Sequence, residues 1–161
     1  MKYGGKSFGH PLLLPPMIFF FAFLLFFSFN VFQTSASSTT FYVDDDFNES
    51  TPGWQYDHFN RIQDAINAAG DGDTIYVYGG LYREHLSVTK NITIQGESKD
   101  NVVLDCSGEG HGIIIAFNGV SISQMTIKNS EQGYYGIKLD DINSCIIRNC
   151  NFSGNYGGIY F

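Results

Sequence analysis

Apolar and polar positions alternate along this chain in short bursts, and late in the sequence the bursts return at a nearly fixed interval. Gly112-Ile113-Ile114-Ile115, Gly136-Ile137-Lys138-Leu139 and Gly158-Ile159-Tyr160-Phe161 are one pattern met three times, with glycines 24 and 22 residues apart. Stretches of Asn, Ser and Gly separate the bursts. An interval in the twenties marks a solenoid, in which a repeat buries its apolar face only by stacking on its neighbours.

Two more runs lie inside each repeat. Val120-Ser121-Ile122 and Met125-Thr126-Ile127 match Cys145-Ile146-Ile147 and Cys150-Asn151-Phe152 in spacing. Phe41-Tyr42-Val43, Thr74-Ile75-Tyr76-Val77-Tyr78, Leu86-Ser87-Val88, Ile92-Thr93-Ile94 and Val102-Val103-Leu104 have the same character earlier in the chain. β-Branched and aromatic residues at alternating positions predict strands. Three short strands per repeat predict an all-β fold, a right-handed parallel β-helix whose equal positions stack about 4.8 Å apart. Apolar side chains then form ladders inside, and Asn and Gly take corners that need a left-handed backbone. About four or five such coils fit between Thr74 and the end.

One segment has a different period. Phe59, Ile62, Ile66 and Ala69 recur at three and four residues and share one helical face. The pattern predicts an amphipathic helix from His58 to Ala69, with Asp57 as N-terminal cap and Gly70 ending it in a left-handed conformation. Such a helix laid over the first coil covers its open core and free strand edges. The predicted layout is therefore 1–36 as an export leader, 41–73 as first strand and capping helix, and 74–161 as coils. The last strand-like run reaches Phe161 with no polar closing segment. That predicts the N-terminal portion of a longer solenoid.

The leader rests on Lys2 and Lys6, the unbroken apolar run Met17 to Phe27, and the small residues Thr34-Ser35-Ala36. A retained membrane anchor is the competing reading, since Leu12 to Phe32 is long enough to cross a bilayer. Either way the rest of the chain is expected outside the cytoplasm. The chain carries 9 Lys+Arg against 16 Asp+Glu, a net −7. Loss of both leader lysines makes that −9. So acidic a surface disfavours nucleic acid and anionic lipid, which need clustered Lys and Arg.

Cys106, Cys145 and Cys150 are an odd set without zinc-ligand spacing. They read as small apolar residues inside the coil, with a Cys106–Cys150 bridge left open for an oxidising compartment. Asn48-Glu49-Ser50, Asn91-Ile92-Thr93 and Asn151-Phe152-Ser153 fit the N-glycosylation acceptor pattern, which matters wherever exported proteins are glycosylated.

The stretch Phe59-Asn60-Arg61-Ile62-Gln63-Asp64-Ala65-Ile66-Asn67-Ala68-Ala69, followed by Gly72-Asp73-Thr74-Ile75-Tyr76-Val77, resembles the opening of secreted right-handed parallel β-helix proteins. Gly80-Leu81-Tyr82-Arg83-Glu84 and Ile92-Thr93-Ile94-Gln95-Gly96 extend the likeness to pectin methylesterases and the pectate-lyase-like superfamily. The later Asn-rich coils, with their Gly-Ile-x-Leu runs, are most similar to NosD-type repeats of copper-accessory and surface proteins. The resemblance covers Phe41 to Phe161 and implies a secreted or surface protein that touches carbohydrate. It carries over no catalytic residue. Asp140-Asp141 with Arg148 has the residue types of a lyase site without its motif.

Four groups of residues remain as candidates. Asp44-Asp45-Asp46, with Asn48 and Glu49, offers oxygens suited to calcium but reads equally as a solvated acidic turn. Asp140 and Asp141 are adjacent, a poor pair for glycoside hydrolysis unless a corner turns both outward. Cys106, His111 and Met125 are the softer donors that a copper role would use, though Met125 sits in an apolar run; His58 and His85 have no partner at ligand spacing. Tyr134, Tyr135, Tyr156 and Tyr160 can stack on sugar rings if they face out, with Tyr135 and Tyr156 the expected exposed pair. The sequence therefore predicts a β-helix scaffold that binds polysaccharide or another surface glycan, with no assigned metal, cofactor or catalytic residue. Nucleic acid is not expected as a partner, and a membrane only through an uncleaved leader. The alternatives are a polysaccharide lyase or esterase with its site beyond Phe161, and a copper-accessory protein.

Overall fold

The structure, a computed structural model, describes residues 1, 3–5, 37–108 and 110–161. The apolar run expected to form the leader core lies outside the described residues. Residues 37–161 form a three-sided parallel β-helix with one short helix.

Strands β1 (Thr40–Val43) and β2 (His58–Phe59) precede the only helix among the described residues, α1 (Ile62–Ala68). Four coils follow. The first is β3 (Thr74–Val77), β4 (Gly80–Tyr82) and β5 (Leu86–Val88); the second is β6 (Thr93–Gly96), β7 (Val102–Asp105) and β8 (Ile113–Ile115). The third is β9 (Val120–Ser123), β10 (Thr126–Lys128) and β11 (Tyr135–Leu139); the fourth is β12 (Cys145–Arg148), β13 (Asn151–Ser153) and β14 (Gly157–Tyr160). Each strand pairs in parallel with its counterpart one coil away, giving sheets ordered β12-β9-β6-β3-β1-β2, β13-β10-β7-β4 and β14-β11-β8-β5.

The register makes the predicted ladders. Phe41, Ile75, Ile94, Ile122 and Ile147 form one inward row. Tyr82, Leu104, Ile127 and Phe152 form a second, and Leu86, Ile113, Ile137 and Ile159 a third. All of them except the exposed Ile159 meet in one core with Cys106 and Met125, both fully buried. Each fully buried Ile or Leu contributes about 1.5–3 kcal/mol relative to exposure, so the rows dominate stability. The repeating Gly112 is required by this stacking: a Cβ there would lie 2.5 Å from the Gly136 carbonyl oxygen and 2.7 Å from Cys106 Sγ. Corners use the left-handed backbone as expected. Gln124 and Asn149 (φ 60 and 51) end equivalent strands in successive coils, and Asn129 and Gly154 (φ 65 and 65) do the same on the next face.

The capping helix is present but shorter than its periodicity predicts, and its caps are different residues. His58 and Phe59 are extended because they pair with Tyr42 and Val43 along the free edge of β1. Asp57 is therefore no helix cap: its carboxylate lies 2.7 Å from His58 Nδ1. The N-cap position is Arg61, whose side chain makes no cap bond. The buried Glu84 does that work from the next segment, its carboxylate accepting the Ile62 and Gln63 N–H groups at 2.8 and 3.1 Å. At the other end Gly70 is not left-handed. Ala69 is extended, and Lys90 Nζ donates to the Ile66, Asn67 and Ala69 carbonyls at 3.2, 2.9 and 2.6 Å. An acid at the N-terminus and a cation at the C-terminus both suit the helix dipole. Ile62, Ala65 and Ile66 are buried against the first coil, as the capping role requires.

Candidate functional site

Outward positions on the β5-β8-β11-β14 sheet carry the most exposed chemistry. Register places Ile114, Lys138 and Tyr160 in one outward row. Tyr135, two strand positions before Ile137, lies opposite Gly157. A Cβ on Gly157 would fall 2.6 Å from the Tyr135 ring, so glycine there is what lets that ring lie flat across the next coil.

Five rings form one cluster with Tyr135 at its centre. Tyr160 lies 4.9 Å away between centroids, Tyr156 at 5.7 Å edge-on, and His111 at 6.0 Å in a near-parallel stack. Tyr134 meets His111 edge-on at 5.3 Å. Tyr156 and Tyr160 are 59% and 48% exposed, whereas Tyr134 and Tyr135 are half-buried. The expected exposed pair is thus corrected in one member: Tyr135 is the central ring, covered by its neighbours, and Tyr160 takes the outer place.

His111 Nδ1 accepts the Tyr135 N–H at 3.1 Å. The ring is therefore neutral with its proton on Nε2. Burial, and then the Lys138 charge, hold its pKa below the ordinary histidine value. The His111 carbonyl accepts from His85 Nδ1 at 2.9 Å, so both histidines serve this corner.

Beside the rings is a groove of about 590 Å³ lined by Lys138, Asp140, Asp141, Asn143 and Tyr160 among others. Lys138 Nζ is 2.9 Å from Asp140, and that bond raises the lysine pKa. Asp140 and Asp141 are both exposed and Asp141 has φ 52, so a corner turns both carboxylates outward. Arg148 is not brought to them: it ends β12, a whole strand further on. The lyase-like trio is therefore split between two corners.

The softer donors are not assembled either. Cys106 and Met125 are wholly inside the core, and burial pushes the Cys106 thiol up to about 11. Cys145 and Cys150 are half-buried, and all three cysteines are free thiols, so the Cys106–Cys150 bridge is not formed. Among the described residues, the group of three His, Cys or carboxylate donors close enough for an ion is Asp44, Asp45 and Asp46, with ligand atoms within 4.8 Å. Two of them already hold the backbone. Asp44 accepts the Asp46 N–H at 3.0 Å and Asp45 the Leu81 N–H at 3.1 Å.

A second aromatic group escapes the reading of the sequence. Tyr42, Phe47, His58, Tyr76 and Tyr78 pack ring on ring on the outer side of the first sheet, with centroids 5.1–6.5 Å apart. Its signal was available: Phe41-Tyr42-Val43 and Ile75-Tyr76-Val77 place a tyrosine outward at equal positions. These rings are half-buried by one another, which marks a structural stack more than an open platform.

No curated protein matches the sequence significantly. Among solved structures, the chain is similar to a pectin methylesterase crystallised in complex with a hexasaccharide, at 17% identity and a TM-score of 0.49. The match covers 74% of this chain and 50% of the other, so this chain spans about half that enzyme's length. Residues 66–161, more than half of the chain and all four coils, match the family described as periplasmic copper-binding protein (NosD), and the chain belongs to that family.

Proposed function

We propose that this protein is a rigid surface or envelope scaffold that binds neutral glycan chains along the Tyr156–Tyr160 face. The observation that carries the reading is two half-exposed tyrosine rings, packed on Tyr135, at the rim of a polar groove. A tyrosine can bury the apolar face of a sugar while its hydroxyl stays wet. Lys138, Asn143 and the two aspartates offer donors and acceptors for sugar hydroxyls. The net −7 charge, and the two carboxylates against one lysine in the groove, favour neutral sugars over polyuronates.

Copper is named in the family description. The described softer donors do not fit it: Cys106 and Met125 are sealed in the core, and His111 Nδ1 is engaged with backbone.

Affinity electrophoresis against neutral and acidic polysaccharides tests the proposal. Retardation by at least one neutral polymer is expected, weakened roughly 3–10-fold by Tyr160→Ala, on the scale of about 0.5–1.5 kcal/mol for one aromatic contact. Equal retardation of the wild type and a Tyr156→Ala/Tyr160→Ala double variant would reject this face. Release of unsaturated sugars or methanol from a polyuronate would replace the scaffold reading by an enzyme.

A further inference from the structure

The chain has three N-x-Ser/Thr triplets, and the structure treats them very differently. Asn91 and Asn151 belong to the coils. Asn91 gives its N–H to Asp71 at 2.8 Å and its carbonyl to the Gly72 N–H at 2.7 Å. Ile92 is then buried in the core, and Thr93 begins β6, paired on both sides. Asn151, Phe152 and Ser153 together are strand β13, with Phe152 turned toward the core. In an extended strand, side chains two residues apart stand side by side about 6–7 Å apart. The hydroxyl of the third residue then cannot reach the amide of the first.

Asn48-Glu49-Ser50 is outside the coils, in the loop between β1 and β2, and all three residues are exposed. The chain there is folded back on itself. Ser50 Oγ donates to Asn48 Oδ1 at 2.6 Å, and the Ser50 N–H donates to the same oxygen at 3.1 Å. Thr51 Oγ1 accepts the Asn48 N–H at 3.1 Å, and the Thr51 N–H donates to the Asn48 carbonyl at 2.8 Å. One amide hydrogen of Asn48 Nδ2 goes to the Asp46 carbonyl at 3.1 Å. The other has no protein partner among the described residues. The turn thus brings the hydroxyl of the acceptor pattern onto the carboxamide oxygen and presents the amide nitrogen at a surface. Asp46 also stands two residues before Asn48, where Thr89 and Asn149 precede the other two asparagines.

We propose that Asn48 is the N-glycosylation site of this protein and that folding withholds Asn91 and Asn151. The donor class is an oligosaccharide linked to a lipid through phosphate or pyrophosphate. Asn48 Nδ2 forms a bond to the anomeric carbon as the bond from that carbon to the phosphate oxygen breaks. The lipid phosphate leaves with the electron pair, and Nδ2 gives up one proton. No oxidant or reductant is needed. The inference rests on the extracytoplasmic setting of the family and is independent of glycan binding at Tyr156 and Tyr160.

The test uses the unglycosylated folded chain, an oligosaccharyltransferase and a lipid-linked oligosaccharide, with a flexible acceptor peptide as positive control. Peptide mass spectrometry then reads occupancy at each asparagine. In the folded chain, Asn48 is expected to carry the glycan at more than 10-fold the occupancy of Asn91 or Asn151. In the urea-unfolded and diluted chain the preference is expected to fall. Ser50→Ala is expected to abolish occupancy at Asn48, and Ser50→Thr to preserve it. An unmodified Asn48 beside a modified control peptide overturns the proposal. So does equal labelling of Asn91 or Asn151 in the folded chain, or a Ser50→Ala variant labelled like wild type.

Discussion

The first and fourth coils of this protein have similar inward residues and very different environments. In the row Leu86, Ile113, Ile137 and Ile159, the first three are at most 2% exposed and the fourth is 39% exposed. Leu86 has the second coil on one side and the capped end on the other, with Ile62, Ala65 and Ile66 of α1 in the same core. Among the described residues, Ile159 has a neighbouring coil on one side, that of β11. The sheets around it follow suit: β3 reads half-buried, buried, half-buried, buried, while β12 carries no buried residue. Burial in a solenoid is conferred by the adjacent layer and not by the residue itself. The first coil has α1 as that layer.

The sharpest way to break this comparison is to truncate one row at two levels. Ile113→Ala is expected to cost about 2–5 kcal/mol because it leaves a cavity between two full coils. Ile159→Ala is expected to cost about 0.5 kcal/mol, as exposed positions do. Urea unfolding midpoints of the two variants measure the contrast, and equal losses would mean that both ends of the row are equally packed.

The next effect concerns the cap. Glu84 is buried, and its carboxylate holds two helix N–H groups that have no other partner among the described residues. Glu84→Ala is expected to cost about 1–3 kcal/mol, the penalty for orphaned buried donors. Hydrogen exchange should show the Ile62 and Gln63 amides losing protection first, while β9 and β10 amides hold. Unchanged exchange at those two amides would show that α1 needs no acid at its start. Lys90→Met acts at the opposite end of the same helix. Its expected cost is smaller, about 0.3–1 kcal/mol, and it should shrink further in high salt because the lysine is only half-buried.

The smallest effect lies at a corner between the second and third coils. Asp105 accepts from Ser107 Oγ at 2.7 Å and Asn129 Nδ2 at 2.9 Å. These bonds hold its carboxyl below the ordinary value of 3.8. A depressed acid stabilises the folded state fully above its unfolded pKa, and that stability is lost as the pH falls through the folded value. Acid titration below pH 3.8 should therefore lower the melting temperature, and less so in Asn129→Ala. An acid limb of identical depth in both proteins would remove Asp105 from the account.

These contrasts divide the molecule by how its information is stored. Alternation along Ile75 and Val77, or Ile94 and Gly96, names the inward residues wherever they occur, because a strand has a period of two. The recurring glycines before Ile113, Ile137 and Ile159 give the coil length, and stacking at that length forces the parallel sheets. The tyrosines were visible as candidates for the same reason. What faces each residue from 20 or more positions away was not visible. Asp57 looked like the helix cap because it is adjacent in sequence, yet Glu84 is adjacent in space. Tyr135 looked exposed until Tyr156 and Tyr160 of the next coil covered it.

The sequence alone determined most of the strands, though not β2 or β4, together with the three-sided winding and the presence of a helical end piece, since these follow from periods that are local and repeated. Only the tertiary structure decided which acid and which lysine hold that helix, which tyrosines reach solvent, and which acceptor asparagine is folded into a turn. Those outcomes depend on the register between coils, where a shift of one residue exchanges inside for outside.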